Sequence, residues 1–221
     1  KLESMVYIAL NKPRNILSET EPGDPRPTVT ELVPDGKHLF PVGRLDKDSE
    51  GLILLTNDGE LANRLTHPRY EHEKEYRVLV AVRPDTQQLE AWRRGVVMED
   101  GRRTLPAKVE IDGYYGKGTW LRVILREGKK RQIREVGKLL GMPVARLIRV
   151  RISSLLLGNL KPREWRYLTP QEVEELQSGA APRKAATRNP RRAPRPSDRK
   201  SSSDRTRSGP PSRSRKPAQR G

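Results

Sequence analysis

Short apolar runs alternate with polar turns along most of this chain, and they predict six β-strands. Each run is rich in aliphatic and β-branched residues and ends at residues that favour turns. The predicted strands cover residues 6–10, 52–55, 75–82, 107–111, 119–125 and 144–152.

Helical spacing of apolar positions predicts four helices between these strands. The clearest is the last, because Ile133, Val136 and Leu139 recur on one face and Gly141 with Pro143 ends the pattern. Strands and helices joined mostly by short turns, without a regular strand–helix–strand repeat, favour an α+β fold with helices flanking a mixed, largely antiparallel sheet. The predicted helices cover residues 28–32, 60–65, 86–94 and 130–140.

The composition changes after residue 178. From Gly179 onward the chain has seven Pro and seven Ser but no Leu, Ile, Val, Phe, Trp or Tyr. Such a segment cannot bury enough apolar surface to offset the entropy of ordering it. We therefore expect residues 1–178 to fold as one sizeable domain or two small lobes, and residues 179–221 to form a disordered Arg/Pro/Ser-rich tail.

The net charge of +17 is concentrated in that tail. Residues 179–221 carry fourteen Lys and Arg against two Asp, a net charge of +12, which leaves +5 for residues 1–178. A cationic tail binds polyanions such as RNA, although a purely solubilising extension is an equal alternative. Within residues 1–178, basic residues cluster around Lys129 and around Arg149. These clusters are either an RNA-binding surface or ordinary solvent-exposed faces.

Several kinds of chemistry are excluded or disfavoured by composition. Without Cys the chain forms no disulfide and has no thiol nucleophile, which fits a cytoplasmic location. The three His residues are too scattered for metal-ligand spacing, and no Gly-rich phosphate loop is present. We therefore expect no metal and no cofactor. No signal peptide and no apolar run of membrane-spanning length is apparent.

One carboxylate, Asp46, lies between a cationic loop and the apolar run 52–55. Asp is depleted in strands and is seldom buried without a partner, so Asp46 is either a solvated turn residue or an acid held there for chemistry. Arg44 could pair with this carboxylate or bind a phosphate, and Gly43 and Gly51 allow tight backbone on either side. From this segment alone the two interpretations are equally plausible.

A resemblance decides between them. The segments GRLD at 43–46, SEGL at 49–52 and LTNDG at 55–59 resemble the signature of the RsuA-type RNA pseudouridine synthases. Further segments match in the family's order across residues 5–176. They are NKP at 11–13, KEYRV at 74–78, EGKKRQIR at 127–134 and RLIRVR at 146–151. The run 160–169 is most similar to the large-subunit ribosomal RNA members, the RluB-like branch. The resemblance implies the pseudouridine synthase fold.

The resemblance also implies roles for individual residues. Asp46 is the expected catalytic residue, and Tyr76 is the expected platform for the base and a participant in proton transfer. Arg134 is expected to pair with Asp46, with Arg131 as a competitor for that role, and Leu147 is expected against the uracil. In the alternative interpretation Tyr76 and Leu147 are plain core residues and Arg134 is an exposed helix residue. The expected phosphate contacts, which position RNA without reading its sequence, are Lys12, Arg44, Lys129, Lys130 and Arg131.

The implied reaction isomerises one uridine of ribosomal RNA, with 23S favoured over 16S, after the base is flipped out of the RNA fold. The expected partner is ribosomal RNA or an assembling ribosomal subunit, and the expected state is a monomer. Many family members carry an amino-terminal S4-type RNA-binding domain, and residues 1–221 contain no counterpart. Whether it was removed or this member lacks it stays open, as does the choice between a nucleophilic carboxylate and one that abstracts a sugar proton.

Two other function classes remain as alternatives. A catalytically silent RNA-binding or ribosome-assembly factor would keep the basic surface without needing Asp46, Tyr76 and Arg134 together. A metal-dependent nuclease would use Asp46, Asp48 and Glu50 as ligands for a hard cation.

Overall fold

The computed structural model describes residues 4–34 and 36–179. In that part of the chain nine strands form a single sheet. The strands are β1 (Tyr7–Lys12), β2 (Phe40–Val42), β3 (Glu50–Thr56), β4 (Lys74–Val80), β5 (Lys108–Tyr115), β6 (Gly118–Leu125), β7 (Val144–Ile152), β8 (Leu155–Leu156) and β9 (Trp165–Tyr167). The α-helices are α1 (Gly59–Thr66), α2 (Thr86–Arg94), α3 (Gln132–Leu139) and α4 (Pro170–Ser178). Single 3-10 turns lie at Val29–Leu32, Gly36–His38 and Pro68–Tyr70.

The sheet has the order β5-β6-β4-β7-β3-β1-β9, with β2 paired to β3 and β8 paired to β7. Its ladders are antiparallel except for the short parallel ladder between β3 and β7. The predicted α+β fold with a mixed, largely antiparallel sheet is therefore confirmed. Within the described residues, no helix is both long enough and apolar enough to cross a lipid bilayer.

Strand β3 explains why the run 52–55 has no polar residue. Ile53 and Leu55 pack into a core that includes residues of α2 and α3, whereas Leu52 and Leu54 pack into a second core with α1 and α4. All four side chains are fully buried. A strand covered on both faces is apolar at every position instead of at alternate positions.

Gly51 allows β3 and β7 to approach each other closely. Its φ is +106°, and a Cβ at this position would stand 2.2 Å from the carbonyl oxygen of Arg149, its partner in the parallel ladder. Only glycine is accommodated there without displacing a strand. This approach brings the loop that precedes β3, which contains Asp46, next to β7.

All six predicted strands are present, and the predicted bounds 86–94 and 144–152 match those of α2 and β7. The predicted helix at 28–32 is a 3-10 turn, and β5 is longer than predicted. The short strands β2, β8 and β9 were not predicted, because two or three residues carry too little periodicity. Helix α4 was also not predicted, although Thr169 and Glu172 form a capping box at its start. The predicted tail lies outside the described residues from residue 180 onward.

Candidate active site

A cleft of about 810 Å³ opens beside the loop between β2 and β3. The segment that follows α1, the end of β6 and the loop before α3 form its other walls. Eight Lys and Arg side chains line it, against three carboxylates, so the cleft suits an anionic ligand. The cations are Arg44, Lys74, Arg102, Arg126, Lys129, Lys130, Arg131 and Arg149, and the carboxylates are Asp46, Glu71 and Glu127.

The loop that carries Asp46 is held by hydrogen bonds on both sides of that residue. The Ser18 hydroxyl, which is buried, accepts from the amide of Leu45 at 2.9 Å and donates to its carbonyl at 2.7 Å. The amide of Ser49 donates to the carbonyl of Asp46 at 2.9 Å. The side chain of Asp46 stays 32% exposed and lines the cleft. A partly exposed acid on a fixed loop is suited to chemistry on a bound molecule.

Lys12 supports the Asp46 loop through a buried hydrogen bond to its backbone and does not line the cleft. Its side chain is fully buried, and its ammonium group donates to the carbonyl oxygens of Ser49 at 2.9 Å and Pro13 at 3.0 Å. Burial lowers the pKa of Lys12 to about 8, against the opposing charges of Asp48 and Asp46. The expectation that Lys12 contacts phosphate is therefore wrong in this structure, because its ammonium cannot reach solvent and its hydrogen bonds go to the backbone.

Among the described residues, Arg131 is the arginine within ion-pair distance of Asp46. Its Nη1 lies 3.5 Å from Asp46 Oδ2, and its two terminal nitrogens donate to both oxygens of Asp48 at 3.1 Å. Arg131 stands at the N-cap of α3 with φ +52°, a left-handed conformation that is unusual for a residue with a Cβ. Strained backbone of this kind persists when surrounding contacts fix it, and it concentrates at functional sites.

Arg134, the other predicted partner of Asp46, contacts the neighbouring acid instead. Its Nη2 donates to the carbonyl oxygen of Asp48 at 2.9 Å, and its Nε lies 3.3 Å from the Asp48 carboxylate. Burial by itself would raise the pKa of Asp48, but the hydrogen bonds from Arg131 and the charge of Arg134 hold it below its usual value. Of the two arginines predicted to pair with Asp46, Arg131 is within ion-pair distance of its carboxylate, whereas Arg134 contacts Asp48.

Tyr76 and Leu147 line the cleft and also belong to the core. They are 8% and 6% exposed, and they lie on the adjacent antiparallel strands β4 and β7. Within the described part of the chain, the Tyr76 hydroxyl makes no hydrogen bond. A role in the core and a role at the cleft are therefore compatible, because both side chains pack in the core and also line the cleft.

The residues of the cleft that are predicted to contact phosphate differ in exposure and in the partners they already have. Arg44 is largely exposed, with Glu19 and Glu21 at 3.6 and 3.5 Å, distances typical of weak surface pairs. Lys130 is exposed. The ammonium group of Lys129 is already engaged, with Glu127 at 2.5 Å and the carbonyl oxygen of Arg103 at 3.0 Å.

The three acids of the proposed nuclease do not form a cation site. Asp48 is bound by Arg131 and Arg134, and Glu50 accepts from Nε and Nη2 of Arg146 at 2.8 and 2.9 Å. Each of these carboxylates is already neutralised by an arginine. No group of three or more potential metal ligands is found within residues 4–34 and 36–179.

Several residues that line the cleft or support its Asp46 loop had no role in the sequence analysis. Ser18 is distant in sequence, and nothing in its local pattern indicates that it anchors the Asp46 loop. Lys74 and Arg149 lie within segments that resemble the family, but neither was assigned a function there. The segment around His67 and His72 forms one wall of the cleft through long-range packing that periodicity does not report.

The family whose description is RNA pseudouridylate synthase matches this chain over residues 6–137. The chain belongs to that family. The matched range includes the Asp46 loop, Tyr76 and both arginines that surround the two acids, so the predicted family is confirmed.

Named relatives match the synthase over most of its length. Ribosomal large subunit pseudouridine synthase E of Vibrio parahaemolyticus is 38% identical over 76% of this chain and 75% of its own. Ribosomal large subunit pseudouridine synthase B of Bacillus subtilis is 37% identical over 80% of this chain and 73% of its own. A crystal structure of a pseudouridylate synthase superposes with a TM-score of 0.71 at 31% identity, covering 79% of this chain and 75% of that one.

Proposed function

We propose that this synthase converts a specific uridine of ribosomal RNA to pseudouridine, with large-subunit RNA favoured over small-subunit RNA and with Asp46 as the catalytic residue. The observation that carries the assignment is the Asp46 carboxylate, fixed by its loop, partly exposed and paired with Arg131 in a cation-rich cleft. The names of the relatives from Vibrio parahaemolyticus and Bacillus subtilis support a ribosomal RNA substrate.

The proposed reaction breaks the bond between C1′ and N1, rotates the uracil and joins C1′ to C5. The proton lost from C5 is balanced by the proton gained at N1. No electrons are gained or lost, and one carboxylate is sufficient, either as a nucleophile at C1′ or as a base toward a sugar proton. Rejoining must outcompete hydrolysis, so water should be kept from the reacting carbon. The buried Tyr76 and Leu147 are suited to that role, and the Tyr76 hydroxyl, which has no hydrogen-bond partner among the described residues, is available for proton transfer at C5.

The target base must leave its stack to reach a carboxylate on the wall of a cleft, so we include base flipping in the proposal. Arg44 and Lys130 are the phosphate contacts that the geometry favours, because both are exposed at the cleft. We also propose that the protein acts as a cytoplasmic monomer without a cofactor, on ribosomal RNA or on an assembling subunit.

The test of the catalytic assignment is Asp46→Asn, which removes charge and basicity but keeps the shape of the side chain. Pseudouridine formation should fall below detection while RNA affinity and the melting temperature stay near those of the wild type. The matched control is Asp112→Asn, which removes an arginine-paired carboxylate from β5, outside the cleft, and should leave turnover unchanged.

Mapping pseudouridines in ribosomal RNA from cells with and without the gene would identify the target. One uridine should lose its modification in the deletion strain and regain it with the wild-type gene but not with Asp46→Asn. An unchanged map would contradict the ribosomal RNA assignment. Turnover by Asp46→Asn at the wild-type rate would remove Asp46 from the mechanism.

A further inference from the structure

Lys74, at the start of β4, lines the cleft with a cation that has no counter-charge within residues 4–34 and 36–179. Its side chain is half-buried, and its ammonium group lies beside Gly128, 3.9 Å from where a Cβ of that residue would stand. Among the residues that the structure describes, this ammonium has no hydrogen-bond acceptor and no carboxylate within ion-pair distance.

Arg149, on the neighbouring strand β7, is a second cation in the same wall. It is only 2% exposed, and its hydrogen bonds go to neutral backbone groups, from Nε to Leu52 O at 2.8 Å and from Nη1 to Arg44 O at 3.4 Å. Its Nη2 is buried and has no partner within the described residues. Arg149 lines the cleft, and its buried guanidinium lacks both one hydrogen bond and a compensating charge within the described residues.

The two cations act on each other. Burial lowers the pKa of Lys74, and the nearby Arg149 guanidinium lowers it further. Elsewhere in the fold a comparably buried arginine is compensated, because Arg151 is paired with Glu73 at 3.1 Å and with Glu75 at 3.0 Å. The absence of such a carboxylate beside Lys74 and Arg149, in the part of the chain described, indicates that a ligand supplies the negative charge.

We propose that Lys74 and Arg149 form an anion subsite that binds one backbone phosphate of the RNA next to the flipped uridine. This inference rests on the proposed function and refines it. A neutral uracil carbonyl would leave both positive charges uncompensated, whereas a phosphate offsets them and accepts from the free Nη2 and from the ammonium group. The two cations of the subsite are more buried than Arg44 and Lys130, so the phosphate they bind would be more shielded from solvent.

The test compares Lys74→Met, which keeps the length of the side chain, with Lys117→Met, which removes the same charge from an exposed position outside the cleft. The probe is a short RNA carrying the mapped uridine, in which each phosphate near that uridine is replaced in turn by a neutral methylphosphonate. Binding is measured by fluorescence anisotropy, and turnover is measured on the unmodified RNA.

Lys74→Met should bind the unmodified RNA about tenfold to a hundredfold more weakly, the usual range for losing one charge-assisted hydrogen bond. Its log–log salt slope should become shallower by about 0.7 to 0.9. One methylphosphonate position should weaken binding to the wild type and to Lys117→Met but have a clearly smaller effect on Lys74→Met, in which Arg149 is the remaining cation of the subsite. The melting temperature of Lys74→Met should equal or exceed that of the wild type, because an unpaired, partly buried charge has been removed.

Additive losses for Lys74→Met at every methylphosphonate position would overturn the subsite, and so would a clear fall in its melting temperature. Failure of the proposed function is distinguishable from both outcomes. If the wild type makes no pseudouridine in the probe RNA, the proposed function is wrong. The comparison of methylphosphonate RNAs measures binding alone, so it still tests the phosphate subsite.

Discussion

Lys12 offers a quantitative test of how the Asp46 loop is supported. Its side chain is fully buried, and its pKa is lowered by burial from the ordinary 10.5 to about 8. In the unfolded chain Lys12 regains its ordinary pKa. Between about pH 8 and pH 10.5 the unfolded state therefore binds more protons than the folded state, and the free energy of unfolding rises with pH through that window.

The size of the effect follows from the two pKa values. Their difference corresponds to about 3 kcal/mol in total, with a maximum slope of about 1.4 kcal/mol for each pH unit. Lys12→Met removes this titration. At neutral pH it also leaves the carbonyl oxygens of Pro13 and Ser49 without donors, at about 1 to 3 kcal/mol each, so the change in stability there is a balance of opposing effects. The pH dependence isolates the burial of the charge.

The measurement is urea unfolding of the wild type and Lys12→Met from about pH 7 to pH 10.5. The free energy of unfolding of the wild type minus that of the variant should rise by about 2 to 3 kcal/mol across the series. The same difference computed with Lys117→Met, which loses an exposed lysine, should stay flat. A flat curve for Lys12 as well would mean that its ammonium titrates normally in solvent, and its predicted role as a phosphate contact would become tenable again.

Three further predictions concern the strands, the chemistry and the tail. Gly51→Ala should lower the free energy of unfolding by at least about 3 kcal/mol in chemical denaturation, because its Cβ would stand 2.2 Å from a backbone oxygen, while Gly59→Ala, which meets nothing, should be neutral or slightly stabilising. Pseudouridine formation should persist in excess EDTA without added nucleotide or reductant; loss of turnover that a divalent ion restores would contradict the cofactor-free mechanism. Deleting residues 179–221 should weaken RNA binding and flatten its salt dependence without changing the modified uridine, as checked by binding titrations and pseudouridine mapping.

The sequence by itself determined the principal strands and helices and the family, and it singled out Asp46, which lines the cleft. Runs such as 144–152 and 86–94 encode their own structure, because the period of their apolar residues reflects which side is buried. Asp46 could also be singled out, because the segments around it resemble a family signature over many contiguous residues.

Only the tertiary structure shows which charged side chains have partners within the described residues and which do not. Lys12 and Lys74 are both lysines in strands, yet Lys12 is satisfied by two backbone oxygens and Lys74 has no acceptor in the described part of the chain. Arg131 and Arg134 lie three residues apart, yet Arg131 is within ion-pair distance of Asp46 whereas Arg134 contacts Asp48. Periodicity indicates whether a side chain is buried but not which groups from distant segments contact it. Those long-range contacts determine whether a charge is paired within the fold or is available to a ligand.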